Sequence, residues 1–336
     1  MAGIKEIAKR TGLSLATVSR VFNDSALVSP KTRQKVLKAA EELEYRHNIT
    51  AAALRSGKSK IIGVIVPEVN NYFFSGIING IEGIVSKSDY NIIIAQSHES
   101  QEKENEALNS FLKLNVDGVL LSVSKQTTDF SLIEKILKSK TPIVFFDRIP
   151  GLDSINSVTL NDYMGGFMAT EHLLASNCKN LLHIAGNPKV SIFKDRQRGF
   201  SNAILKSGRK DITSHIMELT EDVEKDMKIL KKLFKVNPNV DGIFAYGDET
   251  GLHVLNLLKD LNVNIPEKIK LIGFGNANFS NLTQPKISTI DQECSKMGEL
   301  AAELLLENLN DKNITPETKI LSPRLIQRES TQVGKP

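Results

Sequence analysis

The sequence has few cysteines and no long apolar segment. Its 336 residues include two cysteines, Cys178 and Cys294, which are too few for a disulfide framework. No apolar stretch approaches the ~18 residues of a membrane-spanning helix, and the N-terminus lacks the apolar core of a signal peptide. These absences argue against secreted disulfide scaffolds and membrane proteins, and they predict a cytosolic protein without membrane contact.

The sequence also lacks the motifs of common enzymes and cofactor sites. It has no G-x-x-x-x-G-K-[ST] phosphate loop and no H-E-x-x-H zinc motif, and its six histidines are scattered. The segment Gly273-Phe274-Gly275 lacks the third glycine of a dinucleotide fingerprint. Two cysteines more than a hundred residues apart do not form a zinc site by themselves. We therefore expect no catalytic residues, no cofactor and no metal.

Three short helices are predicted near the N-terminus. An apolar stripe at helical spacing begins at Ile4, and Gly12 supplies the turn that joins the first helix to the second. Ser14 and Ser29 are suitable N-caps for the second and third helices, and Pro30 fits the first position of the third. The buried face of the third helix is predicted to consist of Val36, Leu37, Ala40 and Leu43.

Charge is distributed unevenly along the chain. Residues 1–60 contain 12 Lys and Arg against five Asp and Glu, a net charge of +7, whereas the whole chain carries +4 and the remainder therefore −3. A basic head on a slightly acidic body is typical of a protein that binds nucleic acid. A plain three-helix bundle without a DNA role does not account for this asymmetry.

The second helix carries a specific resemblance. The segment Leu15-Ala16-Thr17-Val18-Ser19-Arg20-Val21-Phe22-Asn23 resembles the recognition helix of the lac repressor/galactose repressor family of bacterial transcription regulators. In such helix-turn-helix heads the second helix lies in the major groove of duplex DNA. The resemblance implies that Leu15, Ala16 and Arg20 read bases, since an arginine fork suits guanine. It implies that phosphates are bound by Ser14, Thr17, Ser19, Asn23, Ser29 and Thr32.

A short helix-prone stretch follows the head. Residues 48–58 are too few to form a stable helix alone, and they resemble the family's hinge helix, which orders on DNA. The resemblance implies that Leu54 wedges into the minor groove, with Ala51 packing nearby and Arg55 beside the backbone. A flexible linker is the alternative interpretation. The family commonly has proline where this chain has His47.

From residue 61 onward, apolar runs alternate with helical patterns. Ile61–Val66 is a continuous apolar run, typical of a strand buried on both faces. The alternation continues to about residue 146 and restarts after about residue 160, which predicts repeated βαβ units and parallel sheets. The fold class is therefore α/β, with a three-helix helix-turn-helix head, a hinge helix and a two-lobed body.

The body also resembles that family, and with it the periplasmic sugar-binding proteins. The segments that carry the resemblance include Asn71-Tyr72-Phe73-Phe74, Phe145-Phe146-Asp147-Arg148 and Arg196-Gln197-Arg198-Gly199-Phe200. It implies three chain crossings between lobes, near residues 159, 291 and 321. The predicted divisions are a head at 1–47, a hinge helix and linker at 48–60, an N-terminal lobe at 61–159 with 292–320, and a C-terminal lobe at 160–291 with 321–336.

Polar and aromatic residues follow several predicted strands. Ligands bind at the carboxyl ends of strands in open α/β sheets, and carboxylates and arginine forks bond sugar hydroxyls. The resemblance to sugar-binding proteins implies an effector site formed by Asn71, Phe73, Phe74, Asp147, Arg148, Arg196, Asp248 and Gln292. Alternative roles are core packing for Phe73, a structural ion pair for Asp147 and Arg148, and helix capping for Asp248.

Together these features predict a regulator of carbohydrate genes, acting as a repressor. A homodimer would bind a palindromic operator, and the Leu15-Ala16 pair resembles the branch that reads sites with a central CpG. A sugar is the leading effector class, and Arg148, Arg196 and Arg198 also permit a sugar phosphate. The alternatives are control by a phosphorylated carrier protein, a nucleobase corepressor, or a sugar-binding module without a regulatory role. The C-terminal segment lacks the leucine heptads of a tetramer-forming coiled coil. We therefore expect a dimer rather than a tetramer.

Overall fold

The structure is a computed structural model that separates two compact units, Met1–Ser59 and Lys60–Pro336. It describes residues 3–22, 28–43, 45, 58–139, 141–220, 222–237, 239–311 and 315–332. The predicted DNA contacts Asn23, Ala51, Leu54 and Arg55 lie outside these residues, as does most of the predicted hinge. The finer four-part division given above therefore stays a prediction.

The head consists of three helices around a small apolar core. They are α1 (Ile4–Thr11), α2 (Leu15–Phe22) and α3 (Pro30–Glu42). Gly12 ends α1 in the left-handed conformation at φ 67°, and the Ser14 and Ser29 side chains accept the backbone N–H groups of Thr17 and Thr32. Both N-caps and the turn were predicted. The core residues are Ile7, Ala8, Val18, Val21, Val36, Ala39 and Ala40.

The prediction that Leu37 lies in this core is wrong. Leu37 is 47% exposed, whereas Val36, Ala39 and Ala40 are buried. A helix turns about 100° per residue, so the positions that share a face with Val36 are the third, fourth and seventh after it. Leu37 lies one step off that face, and Ala39 takes its place.

The body contains two six-stranded sheets. The first has the order β11-β5-β4-β3-β1-β2 and is parallel throughout. The register places Val64 opposite both Ile94 and Leu120. Its strands are β1 (Ile61–Val66), β2 (Asn91–Gln96), β3 (Gly118–Leu121), β4 (Ile143–Phe146), β5 (Asn156–Leu160) and β11 (Thr318–Leu321).

The second sheet has the order β12-β10-β9-β8-β6-β7. All neighbours are parallel except β12, which is antiparallel to β10. Its strands are β6 (Asn180–Ala185), β7 (Thr213–Glu218), β8 (Gly242–Ala245), β9 (Lys270–Phe274), β10 (Ser288–Asp291) and β12 (Arg324–Ile326). The chain passes between the sheets after β5, after β10 and between β11 and β12.

Helices cover both faces of each sheet. On the first sheet they are α4 (Tyr72–Val85) and α11 (Cys294–Asn310) on one face, and α5 (Gln101–Lys113) and α6 (Ser131–Leu137) on the other. On the second they are α7 (Asp162–Ala175) and α8 (Ser191–Lys206), opposite α9 (Val223–Val236) and α10 (Asp248–Asp260). Alternate residues of β3 illustrate the arrangement: Leu120 packs towards α4, and Leu121 packs towards α5. The carboxyl ends of both sheets are left for loops.

Candidate functional site

The loops after the strands of both sheets enclose a cavity of about 500 Å³. This volume lies within the range of small-molecule sites. All eight residues predicted for effector binding line it, from both lobes and from the second crossing: Asn71, Phe73, Phe74, Asp147, Arg148, Arg196, Asp248 and Gln292. We call this space the main cavity.

Arg196 is fixed by partners from three segments. Its Nε donates to Asp162 Oδ1 at 2.7 Å, and its terminal nitrogens donate to the Tyr246 carbonyl at 2.7 Å and to Gln292 Oε1 at 3.1 Å. The guanidinium also lies 3.7 Å from the Phe274 ring centroid, which adds a cation–π contact. The side chain is buried, so its planar head is held in one position at the wall of the main cavity.

Asp147 and Arg148 lie side by side after β4. One Arg148 terminal nitrogen donates to both oxygens of Glu99, at 3.0 and 2.8 Å. Arg148 Nε lies 3.7 Å from Asp147 Oδ2, yet within the described chain it has no hydrogen-bond partner. The pair is thus partly an ion pair, and one buried donor remains for a ligand acceptor.

Asp147 is buried and has a left-handed backbone at φ 60°. Burial raises the pKa of its carboxyl group to about 7, although the neighbouring Arg148 opposes this shift. Perturbed carboxyl groups in clefts are typical of functional sites. Asp147 can therefore donate or accept a ligand proton near neutral pH.

The Asp248 side chain forms hydrogen bonds with residues outside its own helix and does not cap α10, the helix that begins at Asp248. Its Oδ1 accepts from the Thr289 hydroxyl at 2.6 Å, and its Oδ2 accepts from the backbone N–H of Ala277 at 2.7 Å. The N-cap of α10 is Gly247. Burial raises the pKa of Asp248 to about 6, against the lowering effect of these hydrogen bonds.

The first turn of α4 places three predicted and one unpredicted side chain at the main cavity. Asn71 caps the helix, because its Oδ1 accepts the N–H of Phe73 at 2.9 Å. Phe73 and Phe74 contact edge to face with ring centroids 5.2 Å apart, and Phe73 also packs against the core. Tyr72, which was not predicted, donates its hydroxyl to Asn278 Oδ1 at 2.9 Å, so α4 of one lobe is linked to the other.

Other lining residues were missed from the sequence. Glu99 and Lys125 follow β2 and β3, and Tyr246 follows β8. No residue was predicted at the ends of β2 and β3, and at the end of β8 only Asp248 was predicted; the strand-end rule, applied to every strand and to each residue there, identifies all three. Phe193 lies on the first turn of α8 and carried no such signal.

Arg198 does not line the main cavity. It pairs with Asp195 at 3.0 Å and lies 5.0 Å from the Tyr163 ring centroid. The other two arginines of the predicted cationic group, Arg148 and Arg196, are already paired with carboxylates.

The head presents the predicted base readers to solvent. Leu15, Ala16 and Arg20 are exposed on α2, whereas Val18 and Val21 of the same helix are buried. Predicted phosphate ligands lie at the helix starts as hydrogen-bonded pairs: Ser14 with Thr17 at 2.8 Å, and Ser29 with Thr32 at 2.9 Å. Ser19 is half-buried on α2.

The described residues include neither a metal-binding cluster nor a membrane-spanning helix. Among the described residues, no group of three or more His, Cys, Asp or Glu side chains is arranged to hold a metal ion. No helix within the described ranges has the length and apolarity needed to cross a bilayer.

Family comparisons agree with this arrangement of head and body. A family model described as bacterial regulatory proteins, lacI family, matches residues 3–48. A model described as a periplasmic binding protein-like domain matches residues 170–331.

Similar proteins span the full chain. It is 32% identical over 330 residues to catabolite control protein A of Priestia megaterium, covering 98% of this chain and 99% of that protein. It is 28% identical over 335 residues to the ribose operon repressor of Halalkalibacterium halodurans, and the alignment covers 100% of this chain and 98% of that protein. The solved complex of the transcriptional regulator CelR with cellobiose aligns with a TM-score of 0.72 at 25% identity, covering 98% of this chain and 100% of that one.

Proposed function

The chain belongs to the lacI family of bacterial regulatory proteins, and from this premise we propose a homodimeric repressor of carbohydrate genes that a sugar controls. It is a DNA-binding transcription regulator and not an enzyme. It works in the bacterial cytoplasm, at the chromosome. One observation supports the proposal of a sugar effector: all eight residues predicted to contact a sugar line one cavity.

The chemistry of the main cavity supports a polyol. The phenyl rings of Phe73 and Phe74 offer an apolar surface, and the carboxyl groups of Asp147 and Asp248 accept or donate protons beside it. Alternating hydroxyl and C–H groups on a sugar match such a mixed wall. Fixing Arg196 by three hydrogen bonds preorganises the site, so less side-chain entropy is lost on binding.

The exposed face of α2 supports operator recognition. We infer that Arg20 contacts guanine and that Leu15 and Ala16 make apolar contacts at a palindrome with a central CpG. Leu54, outside the described residues, would wedge at its centre. Effector and operator would be coupled through differential affinity for two states, and reciprocity requires that operator change effector affinity by the same factor.

The effector is tested by thermal unfolding with a panel of pentoses, hexoses, disaccharides and sugar phosphates. A ligand at a hundred times its dissociation constant stabilises by about 2.7 kcal/mol, which is several degrees in Tm. A selective shift supports the sugar proposal. A flat panel refutes it and favours a protein effector or another metabolite.

Operator recognition is tested with Arg20→Ala on palindromes selected from a random DNA pool. Loss of one bidentate base contact costs about 1–3 kcal/mol and relaxes preference at one position in each half-site. Lys9→Ala, which removes an exposed cation on α1 outside the recognition helix, is the control and should leave the base preference unchanged. An unchanged base preference in Arg20→Ala contradicts its role.

A further inference from the structure

The cleft continues beyond the main cavity. A second cavity of about 290 Å³ adjoins it, and the two share Glu68, Lys125, Phe193, Tyr246 and Glu249 among their lining residues. We call this second cavity the annex. None of the eight predicted effector residues lines the annex, so it has its own chemistry. A further cavity of about 500 Å³ adjoins the main cavity on another side, where the two share Asp147 and Arg148.

The charges of this combined cleft disfavour an anionic ligand. Each cation lining the main cavity has a carboxylate partner: Arg148 and Lys125 pair with Glu99 at 2.8 and 3.8 Å, and Arg196 pairs with Asp162 at 2.7 Å. Glu68 and Glu249 line both cavities without an ion-pair partner in the described part of the chain. A phosphate would thus meet surplus negative charge, whereas an uncharged ligand with hydroxyl donors would not.

The annex has the surfaces that a sugar ring needs. Phe193 and Tyr246 form an edge-to-face pair with centroids 4.9 Å apart at an interplanar angle of 77°. Val223 and Met227 of α9 add apolar surface, and the two unpaired carboxylates can accept hydroxyl protons. Because Phe193 also lines the main cavity, a ligand can follow this aromatic wall from one cavity into the other.

We propose that the effector is an uncharged saccharide of at least two rings, with the first ring in the main cavity and the second in the annex. The annex then sets specificity for the second ring and its linkage. This inference rests on the proposed sugar effector and adds the length and charge of the ligand.

The experiment measures calorimetric binding of glucose, galactose, fructose and glucose 6-phosphate, and of cellobiose, maltose, lactose and sucrose, to the full chain. At least one disaccharide should bind about tenfold or more tightly than each monosaccharide it contains, a difference of about 1.4 kcal/mol. Glucose 6-phosphate should bind more weakly than glucose. If no disaccharide binds more tightly than its component sugars, the inference fails while the sugar effector stands. If no sugar binds, both fail.

Two substitutions on one helix locate the second ring. Val223→Trp fills the annex from a half-exposed position that does not line the main cavity. This substitution should weaken disaccharide binding about tenfold and leave monosaccharide binding unchanged. Val236→Trp at the other end of α9, 78% exposed and away from both cavities, is the matched control and should change neither. Equal weakening of both ligands by Val223→Trp would overturn the assignment.

Discussion

At the scale of single residues, Asp147 combines a strained backbone with an unusual protonation equilibrium. Ten described non-glycine residues have a left-handed backbone, and two of them, Glu99 and Asp147, line the main cavity. The strain at φ 60° and the burial of the carboxyl group both oppose the folded state. Such costs persist where the residue serves a ligand, which is consistent with the place of Asp147 in the main cavity.

Asp147→Asn should separate ligand binding from stability. Because burial raises the pKa of Asp147 to about 7, the carboxylate form predominates only above that pH, and effector affinity should fall as pH drops from 8 to 6. The Asn variant should bind weakly at every pH, and its Tm at pH 8 should not fall. A wild-type affinity that is independent of pH would count against the role of Asp147.

His183 is a buried residue that lies outside the main cavity. Its ring stacks between Phe200 and Phe244 with centroids 5.1 and 4.5 Å away, and its Nδ1 lies 3.0 Å from the Phe244 carbonyl. Within the described chain, its Nε2 has no hydrogen-bond partner. Burial lowers the pKa of His183 to about 4, so the folded protein holds the neutral ring.

The sign of this shift predicts loss of stability in acid. The unfolded chain takes up a proton at His183 near pH 6.5 and the folded chain only near pH 4, so stability is full above pH 6.5 and falls as pH drops towards 4. At about 1.4 kcal/mol for each unit, the total is about 3 kcal/mol. Comparing Tm against pH for the wild type and His183→Phe isolates this contribution. Parallel curves for the two proteins would exclude it.

At the scale of elements, the sequence predicted most helices and strands of the body. Continuous apolar runs such as Ile61–Val66 identify buried parallel strands, since both of their faces need apolar side chains. The strand β5 was not predicted, because Asn156–Leu160 is short and mixes polar with apolar residues. Leu37 was misplaced because a single apolar residue carries no information on which side of a helix is buried.

Close contact between α4 and α11 depends on glycine. A Cβ at Gly80 would overlap the backbone oxygen of Ser295, and a Cβ at Gly298 would overlap the backbone oxygen of Ile77. The two helices therefore approach at backbone distance on one face of the first sheet.

Gly80→Ala should destabilise the protein by about 1–3 kcal/mol, since the backbone of α11 must move away. Gly83→Ala on the same helix is the control, because no atom lies within 4 Å of a Cβ there. It should stabilise by up to about 1 kcal/mol through helix propensity. Urea unfolding of both variants measures the difference, and equal effects would contradict the packing argument.

At the scale of the whole molecule, the two lobes are joined at the cleft as well as at the crossings. The Tyr72–Asn278 hydrogen bond spans the lobes. Arg328 holds the loop that carries Asn278, because its terminal nitrogens donate to Asn276 Oδ1 at 2.6 Å and to Ser280 Oγ at 2.9 Å. The loop is therefore a fixed acceptor for Tyr72.

Tyr72→Phe should speed both entry and release of the effector. Removing one hydrogen bond costs about 1 kcal/mol, so affinity should fall about fivefold, with the larger change in the dissociation rate. Stopped-flow fluorescence measures both rates. Tyr163→Phe is the control, since within the described part of the chain the Tyr163 hydroxyl accepts one hydrogen bond, from Asn202 of the same lobe at 3.4 Å. Rates that match the wild type in Tyr72→Phe would show that this bond does not restrain the lobes.

Site residues could be predicted from the sequence where they directly follow a predicted strand or match a family motif. The eight predicted residues follow this rule or the family pattern. The annex could be found in this way only in part, since Phe193 and Val223 begin helices, and only the folded chain brings them beside Tyr246. Likewise, the partners that fix Arg196 come from positions as distant as Asp162 and Gln292.

The last strands of each sheet have a consequence for the timing of synthesis. β11 covers the edge of β5 in one sheet and β12 covers the edge of β10 in the other, and both follow all the described helices of the body in the chain. During synthesis, a chain that has reached residue 310 therefore contains those helices but leaves β5 and β10 as additional sheet edges. Open strand edges are templates for aggregation. Translation at ~5–20 residues per second therefore leaves an interval of about 1–3 s, between α11 and Ile326, in which β5 and β10 lack the strands that later cover them.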